Sequence, residues 1–300
     1  MKAQPLISDR APFSAIVDRA PWQAPQGARM LVWIIVNVEH WSIERPMPRT
    51  VLSPPMGQPL LPDVPNWAWH EYGMRVGFWR FLEALGQRGI KATLAINGIV
   101  CQSYPRIAMA AHQAGWEFMG HGYVQAPMHQ LADQAEAVAQ TIDAIATCTG
   151  AAPVGWESPG LTQTDETLDI LSKAGIRYVA DWVLDDQPVW LRAKPKPVLS
   201  VPYTVEINDI PMMLLQAHRA EEFYSRGLAQ LDRLWLDSAR QTRVMSISIH
   251  PYIMGVPHRI AQLERLLDAL LAKPEVHLCT GSEIAQCYAD QIPARKGLYP

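Results

Sequence analysis

A parallel barrel of alternating strands and helices, about seven or eight βα units in one domain, is the fold class this sequence predicts. Three observations predict it. Apolar, β-branched runs alternate with helix-period segments from residue 29 to about residue 290. The first such run, Met30 to Val38 (MLVWIIVNV), is apolar on both faces, as suits a central strand covered on both sides. No Gly-x-Gly-x-x-Gly turn follows a strand, so a doubly wound nucleotide-binding sheet lacks its signature and a closed or nearly closed α/β barrel is favoured.

The elements follow in order. Residues 1–28, rich in Pro, Gln and Ala without periodicity, read as an arm that wraps the body or a partner subunit. The strand Met30 to Val38 delivers Asn37, Glu39 and His40 to its C-terminal end. A Pro-rich excursion from Ser42 to Asn66 is too long for a simple connection and is a candidate functional loop. Glu71 to Arg88 is helical, Ala92 to Asn97 a strand, Pro105 to Ala114 a helix and Trp116 to Met119 a strand. The pattern continues with a helix over Gln130 to Thr149, a strand over Val154 to Trp156, and a helix over Asp165 to Ala174. For that last helix Thr164 is the expected N-cap and Gly175 the stop. Strands over Tyr178 to Ala180 and Val198 to Val201 precede the long helix Glu221 to Arg240. Strand Arg243 to Ile249, helix Arg259 to Leu271, strand Val276 to Cys279 and helix Ser282 to Asp290 close a single domain of residues 29–292, with 293–300 as a tail.

Composition narrows the function. At 49% hydrophobic and 18% charged, with 26 basic against 29 acidic side chains, the chain carries a net charge of −3. That leaves no basic footprint for nucleic acid or an anionic membrane, and a small-molecule substrate is the expected partner. The longest apolar run falls far short of the ~20 residues of a bilayer span, and the first residues lack a signal peptide's apolar stretch, so a cytoplasmic protein is expected. The four cysteines form no Cys-x-x-Cys pair, which argues for free thiols. Tryptophans gathered on loops, with Met212, Met213 and Met254, can wall a pocket for a small planar substrate, and the alternative for each is packing in the core or at a subunit interface.

In a parallel barrel the active site lies where strands end, and five strand ends carry chemistry. They present Asn37, Glu39, His40 and Trp41; His121 and Tyr123; Glu157; Asp181, Trp182, Asp185 and Asp186; and His250. Each unpaired buried polar group costs ~1–3 kcal/mol, so their convergence points to a site rather than to decoration. Glu39 can take a proton from water, and His250 can protonate a leaving nitrogen or steady an oxyanion. Asp181, Asp185, Asp186, Asn208 and Asp209 are candidates for reading substrate N–H groups.

The order of motifs resembles the polysaccharide deacetylase, or NodB-homology, superfamily over about residues 29–290, and is most similar to the branch of PuuE-type allantoinases and atypical cytosolic peptidoglycan deacetylases. The motifs are Val36-Asn-Val-Glu-His-Trp41, His121-Gly-Tyr-Val-Gln125, Glu157-Ser-Pro-Gly160, Asp181-Trp-Val-Leu-Asp-Asp186 and Ser246-Ile-Ser-Ile-His250. The resemblance implies a distorted (β/α)7–8 barrel of the NodB type, with Glu39, His121 and His250 catalytic. Asn37, Trp41, Tyr123, Glu157, Trp182, Asp185, Asp186, Asn208 and Asp209 are its expected substrate-binding residues. It leaves two cofactor states open: none, or one divalent metal such as zinc on Glu39, His40, His121 and His129. Metal-dependent members carry a second histidine one helical turn after the first, where this chain has Gln125, and an arginine where it has Glu157. The expected activity is hydrolysis of a non-peptide C–N bond, with a cyclic amide or ureide first. The alternatives are metal-dependent N-deacetylation of an amino sugar, and an inactive binding or scaffold homologue. Relatives of this branch are oligomers, which implies a homodimer or homotetramer.

Overall fold

In the computed structural model, which describes residues 7–294, the sheet is built outward from β1 (Met30–Val38), every residue of which is buried. Its whole lower length pairs in parallel with β8 (Arg243–Ile249), from Met30 opposite Arg243 to Val36 opposite Ile249. On the other edge its last four residues pair with β2 (Thr93–Ile96) and its first three with β9 (Val276–Leu278). Beyond β2 the parallel order runs through β3 (Glu117–Gly120), β4 (Gly155–Trp156), β5 (Tyr178–Val179) and β7 (Val198–Ser200). β6 (Val189–Leu191) adds an antiparallel outer strand on β7. The sheet curls so far that β8 and the segment after β7 meet through one isolated bridge, Asn208 with Ser248. The result is the expected α/β barrel, with a seam in place of a full closing strand pair.

Side-chain parity along the strands decides what faces the interior. In β1 the even-numbered Met30, Val32, Ile34, Val36 and Val38 face the core shared with the outer helices, while Leu31, Trp33 and Ile35 join Ala95, Met119, Tyr178, Leu199 and Val244 inside the curl. In β8, Met245, Ile247 and Ile249 likewise face the helices. Continuing each alternation places Asn37 and Glu39 of one strand, and Ser248 and His250 of the other, on the same inner face at the same end.

The helices follow the expected pattern with shifted starts that their caps explain. The first begins at α1 (Val64–Tyr72), within the expected excursion, because the Asp63 side chain accepts the Asn66 N–H. α1 widens into a π-helical turn, Gly73–Gly77, and continues as α2 (Phe78–Gly86). α3 (Val100–Ser103) and α4 (Pro105–Gln113) follow β2. α5 (Gln134–Thr149) starts after its cap Asp133, later than expected. α6 (Thr167–Lys173) is not capped by Thr164, whose N–H instead donates to the Thr167 hydroxyl. α7 (Ala220–Asp237) and α8 (Pro257–Ala272) pack against the β8 side, and α9 (Gly281–Gln291) opens with a reciprocal Thr280–Glu283 capping box.

Two features hold the site's frame. The glycines of Gly73-Met-Arg-Val-Gly77 form a groove for the chain after His250: a Cβ on Gly73 would lie 2.6 Å from the Tyr252 nitrogen, and one on Gly77 2.0 Å from the Pro251 oxygen. The described part of the arm, residues 7–28, lies along the body of its own chain. Arg10 pairs with Asp169 at 2.5 Å and Arg19 with Asp185 at 2.6 Å, and buried Trp22 sits edge-on to Tyr288.

Candidate active site

Glu39 is the focus of the inner mouth. Its Oε1 accepts a hydrogen bond from Gln125 Nε2 at 2.6 Å and faces His121 Nε2 at 3.4 Å and His250 Nε2 at 3.9 Å, and Trp41 Nε1 donates to Oε2 at 3.2 Å. The polarity of this arrangement is fixed from the backbone. The His40 N–H can only donate, so it meets Asn97 Oδ1 at 2.9 Å; the Asn97 amide nitrogen then donates to the His121 carbonyl and, at 2.8 Å, to Gln125 Oε1. Gln125 must therefore turn its NH2 group, not its oxygen, toward Glu39. Burial alone would raise the Glu39 pKa, but the His121 hydrogen bond and the charges of His250 and His121 hold it down to about 2. His121 donates Nδ1–H to the Glu157 carbonyl at 2.8 Å, which leaves Nε2 for Glu39. Burial opposes its charge, yet the Glu39 hydrogen bond and the nearby carboxylates push its pKa up to about 9.

His250 is held from behind. Its Nδ1 and its backbone N–H each meet a different oxygen of Asp209, both at 2.7 Å. Burial would lower the His250 pKa; Asp209 overcomes it and raises it. Asp209 is fully buried and corrects an expectation: it orients a histidine and does not read substrate. Asn37 is likewise a positioning residue, donating to Ser248 Oγ at 2.9 Å and to the Ile249 carbonyl.

A cavity of about 980 Å³ opens above these groups, lined among others by Glu39, His40, Trp41, Arg49, His121, Gln125, Glu157, Tyr203, Asn208 and His250. Glu39, His121 and His250 thus share one chamber with Trp41, Glu157 and Asn208. The other expected binding residues lie elsewhere. The Tyr123 carbonyl accepts the Ile99 N–H, and its ring packs beside Gly98. Trp182 donates to Gln163 and packs on the core. Asp185 is tied to Arg19, and with Asp186 it lines a separate cavity of about 460 Å³ under the arm. Asp181 is buried and binds the N–H and hydroxyl of Ser158, so it shapes the Glu157 loop. Of the eleven tryptophans only Trp41 is among the cavity's lining residues, and Met212, Met213 and Met254 are core. The cavity's apolar wall comes mostly from Pro, Val, Ile and Leu side chains rather than from Trp and Met.

Sequence reasoning missed Asn97 and Tyr203, although each sits at or just past a strand end, where the signal was available. It also missed His70 and Tyr252, whose rings stack 4.2 Å apart behind Trp41. Burial and Cys148 push the Cys101 thiol up to about 12, away from the thiolate form.

The metal that the resemblance allows can be tested against the donors present. Gln125 points N–H groups, which hold no lone pair for an ion, at Glu39. His129 is exposed on the turn Met128–Gln130 and does not line the cavity, and the His40 ring lies against Tyr104. Among the described residues no three His, Cys, Asp or Glu side chains are grouped to hold an ion. The expected set Glu39, His40, His121 and His129 does not fit a metal.

Comparison with known proteins agrees with the fold. A family model described as polysaccharide deacetylase matches residues 69–179, the span from α1 to β5 that carries His121, Gln125 and Glu157. A solved structure described as a probable polysaccharide deacetylase from Pseudomonas aeruginosa is 26% identical, with a TM-score of 0.80 over 91% of this chain and 95% of that one. The structure of PuuE allantoinase superposes with a TM-score of 0.82 at 24% identity over 93% and 96% of the two chains. A peptidoglycan deacetylase of Helicobacter pylori is 22% identical over 74% of this chain and 86% of its own.

Proposed function

We propose, on the premise that this chain carries the polysaccharide deacetylase domain of the NodB-homology superfamily, that it is a hydrolase of non-peptide C–N bonds acting on a small cyclic amide or ureide. One observation carries the reading: the carboxylate of Glu39 and the imidazole Nε2 atoms of His121 and His250 face one another across distances of 3.4 and 3.9 Å at the floor of one cavity. The allantoinase among the structural neighbours supports the choice of a cyclic ureide.

Each group has a task its environment suits. A water on Glu39 loses its proton to the carboxylate as its oxygen adds to the carbonyl carbon. The His121 imidazolium turns its Nε2–H from Glu39 to the forming oxyanion, and in the same motion Glu39 loses a hydrogen-bond donor and becomes more basic. His250, kept protonated by Asp209, gives its Nε2 proton to the departing nitrogen as the C–N bond breaks, leaving a ring-opened product with a carboxyl group and a new N–H, and the proton taken up by Glu39 passes back to His250. No step needs a metal.

Glu39→Gln keeps the shape of the site and removes the base; turnover on any substrate found in a panel of ureides, hydantoins, imides and acetylated sugars should fall about a thousandfold. Unchanged turnover in that variant would remove Glu39 from the role. A second reading, N-deacetylation of an amino sugar with a bound divalent metal, draws support from the Helicobacter pylori relative. It requires activity lost to chelators and restored by zinc or cobalt, whereas the first reading requires indifference to both. Among the described residues no helix is long and apolar enough to cross a membrane. A cytoplasmic homodimer or homotetramer of the 33.6 kDa chain belongs to the same proposal and is checked by light scattering.

A further inference from the structure

Glu157 occupies the cavity wall at 3% exposure, and its Oε2 has no hydrogen-bond partner. The hydrogen bonds behind it have fixed directions, and Asn37 Oδ1 is a second buried acceptor without a partner. The Ile210 N–H fixes Asn208 Oδ1, so Asn208 Nδ2 donates to the Tyr203 hydroxyl. The Ile249 carbonyl fixes the Asn37 NH2 group, which donates to Ser248 Oγ; Ser248 lies 2.7 Å from the Tyr203 hydroxyl, which also bonds Glu157. With one proton per hydroxyl, the assignment that uses every proton runs one way: Asn37 to Ser248, Ser248 to Tyr203, Tyr203 to Glu157. The relay ends on the Glu157 carboxylate, which lines the chamber, and its Oε2 is a sealed acceptor that no protein donor reaches. An unpaired buried acceptor costs stability, and a ligand that fills it recovers that cost on binding.

Charge agrees with polarity. Glu39 is balanced by His121, and Asp209 by His250. Burial, with the Asp181 charge, pushes the Glu157 pKa up to about 7 against the charges of His121 and His250. In its ionised form the carboxylate accepts a hydrogen bond from a substrate N–H at this place, whereas a methyl group there leaves it unpaired.

We propose that Glu157 is a specificity-determining residue that accepts a hydrogen bond from a substrate N–H, selecting ureide-type molecules whose scissile amide lies beside a further N–H. The inference rests on the hydrolase reading above and deepens it. Its test needs binding alone: hydantoin and 1,3-dimethylhydantoin, which has no N–H, are titrated into the full-length protein by calorimetry. Wild type should bind hydantoin at least tenfold tighter than the dimethyl compound. Glu157→Leu should bring the two within threefold of each other, and Glu157→Gln, which keeps an acceptor oxygen, should retain part of the preference. The leucine variant also leaves the Tyr203 hydroxyl without its acceptor, so a thermal melt that stays cooperative and well above the titration temperature separates lost recognition from lost folding. Equal binding of the two probes by wild type, no hydantoin binding at millimolar concentration, or a preference that survives in Glu157→Leu would each overturn the proposal. Turnover of an acetylated sugar without hydantoin binding would refute this inference and leave the hydrolase reading standing. Glu157-dependent hydantoin binding in a protein that hydrolyses nothing would do the reverse.

Discussion

At the scale of single residues the site works by fixing which atoms carry protons. Asp209 is the clearest case, since it holds both the ring and the backbone of His250. Replacing it by Asn leaves burial as the main influence on that imidazole, and burial lowers its pKa. A proton donor stops working as pH rises through its pKa, so the alkaline limb of the rate profile should move to lower pH in Asp209→Asn. Turnover at pH 7.5 should fall at least tenfold; a limb that stays in place would remove His250 from the acid role. Much of this was legible in the sequence. Glu39, His121 and His250 stand directly after apolar runs, and counting alternate residues from Leu31 and Val244 places Glu39 and His250 on the inner face. Asp209 was not legible in its true role, because a carboxylate behind a histidine and one in front of it look alike until the fold sets their depth.

At the scale of elements the glycine groove links helix to loop. Gly73 and Gly77 are separated by one helical turn, and the backbone after His250 lies in the space their missing side chains leave. Gly77→Ala would drive a methyl group into the Pro251 carbonyl, so the loop must lift. We expect a loss of about 1–3 kcal/mol in thermal or urea unfolding, with a fall in turnover larger than the stability loss explains. Gly86→Ala is the control: nothing lies within 4 Å of its added carbon, and stability should hold or rise slightly. Helices with clear apolar stripes were readable to within a few residues. The π-helical turn and β6 were not: one arises from a tertiary contact with no local signal, and the other is a strand of three residues, too short for a period to declare itself.

At the scale of the whole molecule the sheet is uneven. β1 and β8 share seven paired residues, while β4 and β5 have two residues each and the seam after β7 is one bridge. Amide exchange followed by mass spectrometry should find β1 and β8 the slowest segments and residues 155–163 and 198–208 markedly faster. Uniform protection would show that the short strands are stiffened by other means. Alternation, the absence of a Gly-x-Gly-x-x-Gly turn and the order of the motifs together predicted the barrel, but the seam depends on how far the sheet curls, a property of all its strands together that no window of sequence contains. The unevenness divides labour inside the chamber. Base and acid sit at the tips of the neighbouring, extensively paired strands β1 and β8, while Glu157, Tyr203 and Asn208 follow the short strands β4 and β7. Exchanging those wall residues would let the protein adopt a different molecule to cleave and keep the cutting apparatus undisturbed.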